Sequence, residues 1–254
     1  MNLQLDGLHV LITGGSKGIG LSCAKAFLDE GARVTLVSRN AEALAAGAAS
    51  LGAQTRVRTI VADLSKDAER IRAITEAGPF DILVNSAGAI PGGGLLDLTM
   101  DRWREAWDLK VFGYVHMTQM ALALMKDRGK GVIVNIIGTA GRFPRYDYIC
   151  GGAGNAALVA FTSAIGGKAS EWGVRVFGIN PALTRTDRVM TLSKARAKTA
   201  LGDENRWEEM LKGLPFDRLI EPDEVGRTAA FLASPACGYV SGTVLDIDGG
   251  AGFR

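Results

Sequence analysis

The chain has 254 residues, 47% of them hydrophobic and 22% charged, which suits one α/β domain with a well-covered core and argues against disorder. Its net charge is only +2 and its 29 basic residues are scattered, so it lacks the concentrated positive field that holds nucleic acid or an anionic membrane. The opening Met-Asn-Leu-Gln-Leu-Asp-Gly has no basic segment followed by an apolar core, and no run reaches the ~18 apolar residues needed to span a bilayer, so a soluble, cytoplasmic protein with neither partner is expected.

Apolar runs of strand length alternate with helix-length segments from end to end, the pattern of βαβ units around a parallel sheet. Strands are predicted over about 8–13, 32–38, 56–62, 80–85, 131–137, 174–180 and 243–247, with helices over 19–30, 41–51, 68–76, 100–127, 148–172 and 222–233. Gly31, Gly52 and Gly173 fall where helices should stop. The expected fold is a single-domain, Rossmann-like, doubly wound parallel sheet of about seven strands with helices on both faces. The segment from Thr186 to Leu214, rich in charge and carrying Trp207 and Met210, follows the strand ending at Pro181 and reads as a lid over a ligand crevice; a solvated helical pair decorating the edge fits it too.

The first strand runs into Thr13-Gly14-Gly15-Ser16-Lys17-Gly18-Ile19-Gly20 and then a helix. Glycines there allow backbone angles closed to other residues, and the following helix offers unpaired N–H groups to a phosphate. A sharp turn that binds nothing would need the same glycines. Cys23, Cys150 and Cys237 are odd in number and widely spaced, which suggests neither disulfides nor a metal site. Cys23 and Cys237 read as small buried hydrophobes, and Cys150 has no sequence-adjacent base to make it a nucleophile.

Thr-Gly-x-x-x-Gly-Ile-Gly resembles the cofactor turn of the short-chain dehydrogenase/reductase family, and four further marks follow in order. Asp63-Leu64 resembles the pair beside the adenine, Asn85-Ser86-Ala87-Gly88 the family's Asn-Asn-Ala-Gly, Asn180-Pro181 to Thr186 the nicotinamide-side loop, and Asp246-Ile247-Asp248-Gly249-Gly250 the closing strand. The resemblance covers essentially the whole chain. It implies a dinucleotide held by Gly14, Ser16, Lys17, Gly18, Ile19, Gly20, Asp63, Leu64, Asn85, Ala87, Gly88, Pro181 and Thr186, a small-molecule substrate, and a homo-oligomer. Asn85 also reads as a structural brace, and Ala182 stands where the family has glycine.

The second strand ends in Ser38-Arg39-Asn40 with no carboxylate to accept the ribose hydroxyls. Arg39 can pair instead with a 2′-phosphate, which favours NADP(H), and Lys17 matches a cation that NADP-preferring relatives carry in the turn; a solvated surface role fits each singly.

The family's centre is a Ser, a Tyr, a Lys four residues on, and an Asn from the preceding long helix. By register these fall on Gly138, Gly151, Asn155 and Lys110, so the chain resembles an atypical member lacking the usual Ser-Tyr-Lys centre. Tyr148 precedes Asn155 by seven residues, a spacing that returns to the same helical face and resembles the enoyl reductase branch. Tyr148 is therefore a candidate proton donor, with Tyr146 the lesser one and a packing role the alternative. Lys110 and Asn155 read as a reciprocal exchange of cation and amide, against the alternative of a lysine exposed on a helix. Thr139 is a weaker substitute for the missing Ser. Arg142, Arg145 and Asp147 sit where a polar substrate would arrive, or are solvated. The reading is an NADP(H)-dependent oxidoreductase acting on a small carbonyl, alcohol or activated alkene; the alternative is a catalytically silent NADP(H)-binding protein, a sensor or inert subunit.

Overall fold

The computed structural model describes residues 2–253, apart from the side chains at 54, 188, 192, 195, 196 and 199. Its seven strands are β1 (His9–Thr13), β2 (Arg33–Ser38), β3 (Val57–Val61), β4 (Ile82–Asn85), β5 (Gly131–Ile136), β6 (Val174–Pro181) and β7 (Val244–Ile247). All pair in parallel in the order β3-β2-β1-β4-β5-β6-β7, a single doubly wound sheet. The seven predicted strands are all present, each within two residues of its expected ends.

Alternation along each strand sends neighbouring side chains to opposite faces, and both faces are covered. Val10, Ile12, Val34, Leu36, Val84 and Phe177 pack under α1 (Gly18–Asp29) and α8 (Pro222–Ala233). Leu11, Val37, Leu83, Ile133 and Val176 pack under α3 (Asp67–Ala77) and α5 (Val111–Arg128). The remaining helices are α2 (Ala41–Ser50), α4 (Met100–Leu109), α6 (Ile149–Ala169) and α7 (Asp187–Leu201).

Three expectations need correction. The helix predicted over 100–127 is two, because the chain bends at Lys110, where φ is −90° and ψ is −53°. Tyr148 is the N-cap of α6 rather than part of its first turn. Cys237 is half-exposed at the surface end of α8, whereas Cys23 is buried and its thiol is pushed up to about 12 by that burial. The helical stretch Ile149–Trp172 is long and apolar enough to cross a membrane by length and composition, with a mean hydropathy of 1.4, yet Cys150, Leu158 and Ala169 on it pack inside the protein.

Sheet order reverses direction between β1 and β4, and ligands in such folds bind beyond the carboxyl ends of the strands flanking that point.

Candidate active site

A crevice of about 1090 Å³ opens at that position. On one side stands the glycine turn between β1 and α1. Gly14 and Gly18 have φ of 68° and 57°, left-handed angles that favour glycine. A β-carbon on Gly14 would stand 2.8 Å from the Ala87 backbone, and one on Gly20 would overlap the Gly14 carbonyl, so bare backbone is required at both. The Thr13 hydroxyl accepts from the Ser86 and Ala87 amides at 3.0 and 3.2 Å, tying the turns after β1 and β4 together.

Of the predicted cofactor residues, Gly14, Ser16, Lys17, Gly18, Ile19, Gly20, Arg39, Asp63, Leu64, Ala87, Gly88, Pro181 and Thr186 all line this crevice. Asn85 does not. It is fully buried behind the crevice, where its amide donates to Thr118 Oγ1 at 3.1 Å and Asn135 Oδ1 at 2.9 Å, and so braces β4 against β5 and α5.

Burial disfavours charge on Asp63, but hydrogen bonds from the Ser65 hydroxyl and amide, with Lys66 and Arg39 nearby, outweigh it and hold the carboxyl below its usual value. Arg39 is exposed at the tip of β2, on the same end of the crevice. Lys17 reaches the other way, donating to Asp187 Oδ2 of α7 at 3.1 Å in a solvent-exposed pair. Thr186 caps α7 by accepting from the Val189 amide at 3.4 Å, and its methyl would lie 3.2 Å from a β-carbon on Gly18. Among the described residues of the 186–214 segment, Thr186, Asp187, Val189 and Ser193 line the crevice.

The opposite end gathers Tyr148, Lys110 and Asn155 around the end of β5. Lys110 is half-buried; its ammonium donates to the Ile137 carbonyl at 2.6 Å and lies 5.9 Å from the Tyr114 ring centre. This cation is thus turned toward the end of β5 rather than into open solvent. Asn155 is only 2% exposed; its amide nitrogen donates to the Gly138 carbonyl at 3.2 Å, and its Oδ1 has no protein donor.

Two glycines explain these placements. Gly138 has φ of 127°, and a β-carbon there would stand 2.9 Å from the Asn155 amide nitrogen. A β-carbon on Gly151 would overlap Cε1 and Cζ of Tyr148 and lie 2.7 Å from its hydroxyl. Thus the Tyr148 ring fills the room in which a side chain at 151 would begin, and the Asn155 amide fills the room beside 138. Tyr148 also packs with Leu98, Trp103 and Trp107 against Ile90, Ala106 and Cys150.

Tyr146 lies outside the crevice, 63% exposed, with its ring over Gly94. Thr139 lines the crevice in a single helical turn after β5. Arg142 is committed elsewhere: its guanidinium donates to Asp246 Oδ2 at 2.7 Å and to the Val244 carbonyl at 2.9 Å. Arg145 and Asp147 pair with each other through two hydrogen bonds of 3.0 and 2.7 Å. Cys150 is fully buried, and burial pushes its thiol up against a smaller opposing contact from Trp107, so it stays neutral. Sequence reasoning missed Phe143, which lines the crevice, because a lone aromatic in a loop carries no spacing signal.

Comparison with known proteins agrees with this geometry. The family profile described as short chain dehydrogenase matches residues 8–197. The chain is 37% identical to a galactitol 2-dehydrogenase (L-tagatose-forming) of Cereibacter sphaeroides, over 97% of this chain and 96% of the relative. Among solved structures, L-sorbose reductase from Gluconobacter frateurii, complexed with NADPH and L-sorbose, superposes with a TM-score of 0.91 at 27% identity, covering 98% of each chain. A 7α-hydroxysteroid dehydrogenase complexed with NADH and 7-oxo glycochenodeoxycholic acid gives a TM-score of 0.85 at 29% identity, over 98% of this chain and 96% of that one.

Proposed function

The chain belongs to the short-chain dehydrogenase/reductase family, and from that premise we propose that it is an NADP(H)-dependent oxidoreductase of a small carbonyl, alcohol or activated alkene, working through a reorganised centre. The observation that carries this reading is that Tyr148, Lys110 and Asn155 open onto one crevice with the glycine turn and Arg39.

The residues present fit a dinucleotide. Gly14 and Gly20 form a cradle that any β-carbon would fill, and Asn155 Oδ1 is a buried acceptor awaiting a donor such as a ribose hydroxyl. When bound, the cofactor supplies the redox chemistry, giving or taking a hydride at its nicotinamide ring. Arg39 would pair with the 2′-phosphate, joined by Lys17 if it left Asp187, and Asp63 with Leu64 would hold the adenine edge. Pro181 and Thr186 would hold the nicotinamide side. Tyr148 supplies or accepts the proton at the substrate oxygen, and the Lys110 ammonium, held at the Ile137 carbonyl, supplies positive charge at the same end of the crevice.

The substitutions are mutually consistent, which favours a rebuilt centre over a decayed one. Glycine at 151 makes room for the Tyr148 ring, and glycine at 138 makes room for the Asn155 amide. The 186–214 segment acts as a lid, with Asp187, Val189 and Ser193 already turned to the crevice. Exposed Phe231, Tyr239, Leu245 and Phe253 around β7 support pairing of two copies there.

Calorimetric titration with NADPH and NADH tests the cofactor. Arg39→Glu should weaken NADPH by roughly ten- to a hundredfold, the loss of a charged hydrogen-bonded pair, and leave NADH nearly unchanged. A panel of ketones, quinones, alcohols and enones, followed at the NADPH absorbance band, tests turnover, and Tyr148→Phe should lower it by about a hundredfold or more. NADPH binding without turnover of any of these would point to a silent binding protein instead.

A further inference from the structure

Behind Asn155 runs a chain of polar contacts that ends at the far edge of the sheet. The Asn155 amide nitrogen donates to the Gly138 carbonyl at 3.2 Å, and the Gly138 amide donates to Asn180 Oδ1 at 3.2 Å. Asn180 Nδ2 in turn donates to Asp246 Oδ1 at 2.8 Å, and the other Asp246 oxygen accepts from Arg142 at 2.7 Å. Asn180 is fully buried at the end of β6, and Asp246 lies beside it on β7, paired in register.

Each link has one polarity. Asp246 is acceptor-only when ionised, so it fixes which end of the Asn180 amide faces it; the Asn180 oxygen is then presented to the Gly138 N–H. Gly138, at φ 127°, gives its N–H to Asn180 from the peptide before it and aims the carbonyl of the peptide after it at the Asn155 amide nitrogen. Because that carbonyl can only accept, it fixes the flip of Asn155 and leaves Oδ1 a buried acceptor with no protein donor, on a residue that lines the crevice. The turn through Gly141 is pressed against this part of α6: a β-carbon on Gly141 would stand 2.7 Å from the Asn155 carbonyl carbon. Arg142 leaves that same turn to reach Asp246, so the clamp on β7 also holds the turn in place.

We propose that Asp246 and Arg142 are positioning residues that, through Asn180 and Gly138, orient Asn155 toward the nicotinamide ribose of the bound dinucleotide. This rests on the dinucleotide-binding reading above. Only the nicotinamide half of the ligand is under the control of this chain; the adenosine half is held at the other end of the crevice by Arg39 and Asp63.

The test compares binding of NADPH with that of adenosine 2′,5′-bisphosphate, which lacks the nicotinamide ribose, by calorimetry, with thermal melts as a folding control. Asn180→Asp sets two carboxylates face to face, and Asp246→Asn removes the acceptor-only partner. Each should weaken NADPH by roughly five- to tenfold, about one hydrogen bond, and leave the bisphosphate within about twofold. The exchange Asn180→Asp with Asp246→Asn restores donor and acceptor at every link and should recover most of the NADPH affinity. Arg142→Gln, a change at a half-exposed side chain, should act in the same direction more weakly and remains informative if a buried variant fails to fold. In an Asn155→Ala background, Asp246→Asn should have no further effect on NADPH. Equal weakening of both ligands, no weakening of either, or an undiminished Asp246→Asn effect without Asn155 overturns the proposal. Wild-type protein that binds the bisphosphate but gains nothing from the nicotinamide half overturns it too, while wild-type protein that binds neither ligand removes the dinucleotide reading itself.

Discussion

Two glycines carry much of the site's meaning, and each shows what a side chain would displace. At 151 an added β-carbon meets the Tyr148 ring, so Gly151→Ala should push that phenol out of place. Overpacking of this kind costs about 1–3 kcal/mol, and a shift of about 1 Å at a reacting group costs about a hundredfold in rate. A thermal melt and a turnover assay on the variant check both, and unchanged turnover would clear Tyr148 of a chemical role. Gly138→Ser would not restore the family's hydroxyl usefully, since φ of 127° and the Asn155 amide 2.9 Å away both oppose a side chain there. From the sequence these positions were legible only as losses. That a ring and an amide occupy the vacated space depends on contacts between residues 148 and 151 and between 138 and 155, which no pattern of residue types encodes. The same limit applies to Arg142, whose charge suggested a substrate contact until its partner on β7 was visible.

The helix carrying the phosphate turn is steadied from outside by another. α8 lies against α1 so closely that a β-carbon on Gly226 would stand 2.5 Å from the Ser22 carbonyl oxygen. The start of α8 is itself secured by a reciprocal capping box, Glu221 with Glu224, and by Arg218 against Glu224. That pair of hydrogen bonds from Arg218, with the Glu221 amide, holds the Glu224 carboxyl down at about 2. Gly226→Val should therefore force α8 away from α1, lower stability by about 1–3 kcal/mol, and weaken NADPH along with the bisphosphate because the turn at residues 14–20 moves with its helix. Calorimetry and melting together check this; a loss of stability with unchanged binding would show the turn to be independent of α8. Element identity was largely readable in advance, since buried strands and amphipathic helices carry their own periodicity. The bend at Lys110 was not, because the apolar pattern runs through it while the backbone turns.

At the scale of the whole molecule, the doubly wound order places β1 inside the sheet between β2 and β4, and His9 at its start ties several segments together. Its Nδ1 donates to the Pro79 carbonyl at 2.7 Å, its Nε2 accepts from the Thr35 hydroxyl of β2 at 2.8 Å, and its backbone amide donates to Asp81 just before β4. Burial holds its pKa below the ordinary value of 6.5, although the bond to Pro79 works in the opposite sense, and nearby Arg33 and Arg58 add to the lowering. The folded state thus prefers the neutral ring, while the unfolded chain takes up a proton near the ordinary value. The stability this group contributes is complete above about pH 6.5 and is lost as pH falls from there through the lower folded value. Melting temperature measured from pH 8 to pH 5 should decline more steeply for the wild type than for His9→Gln, which keeps an amide donor and acceptor but does not titrate. Parallel slopes for the two proteins would show that His9 does not carry the acid sensitivity in this range, since the contribution of Glu224, held at about 2, is lost only below its ordinary value of 4.5.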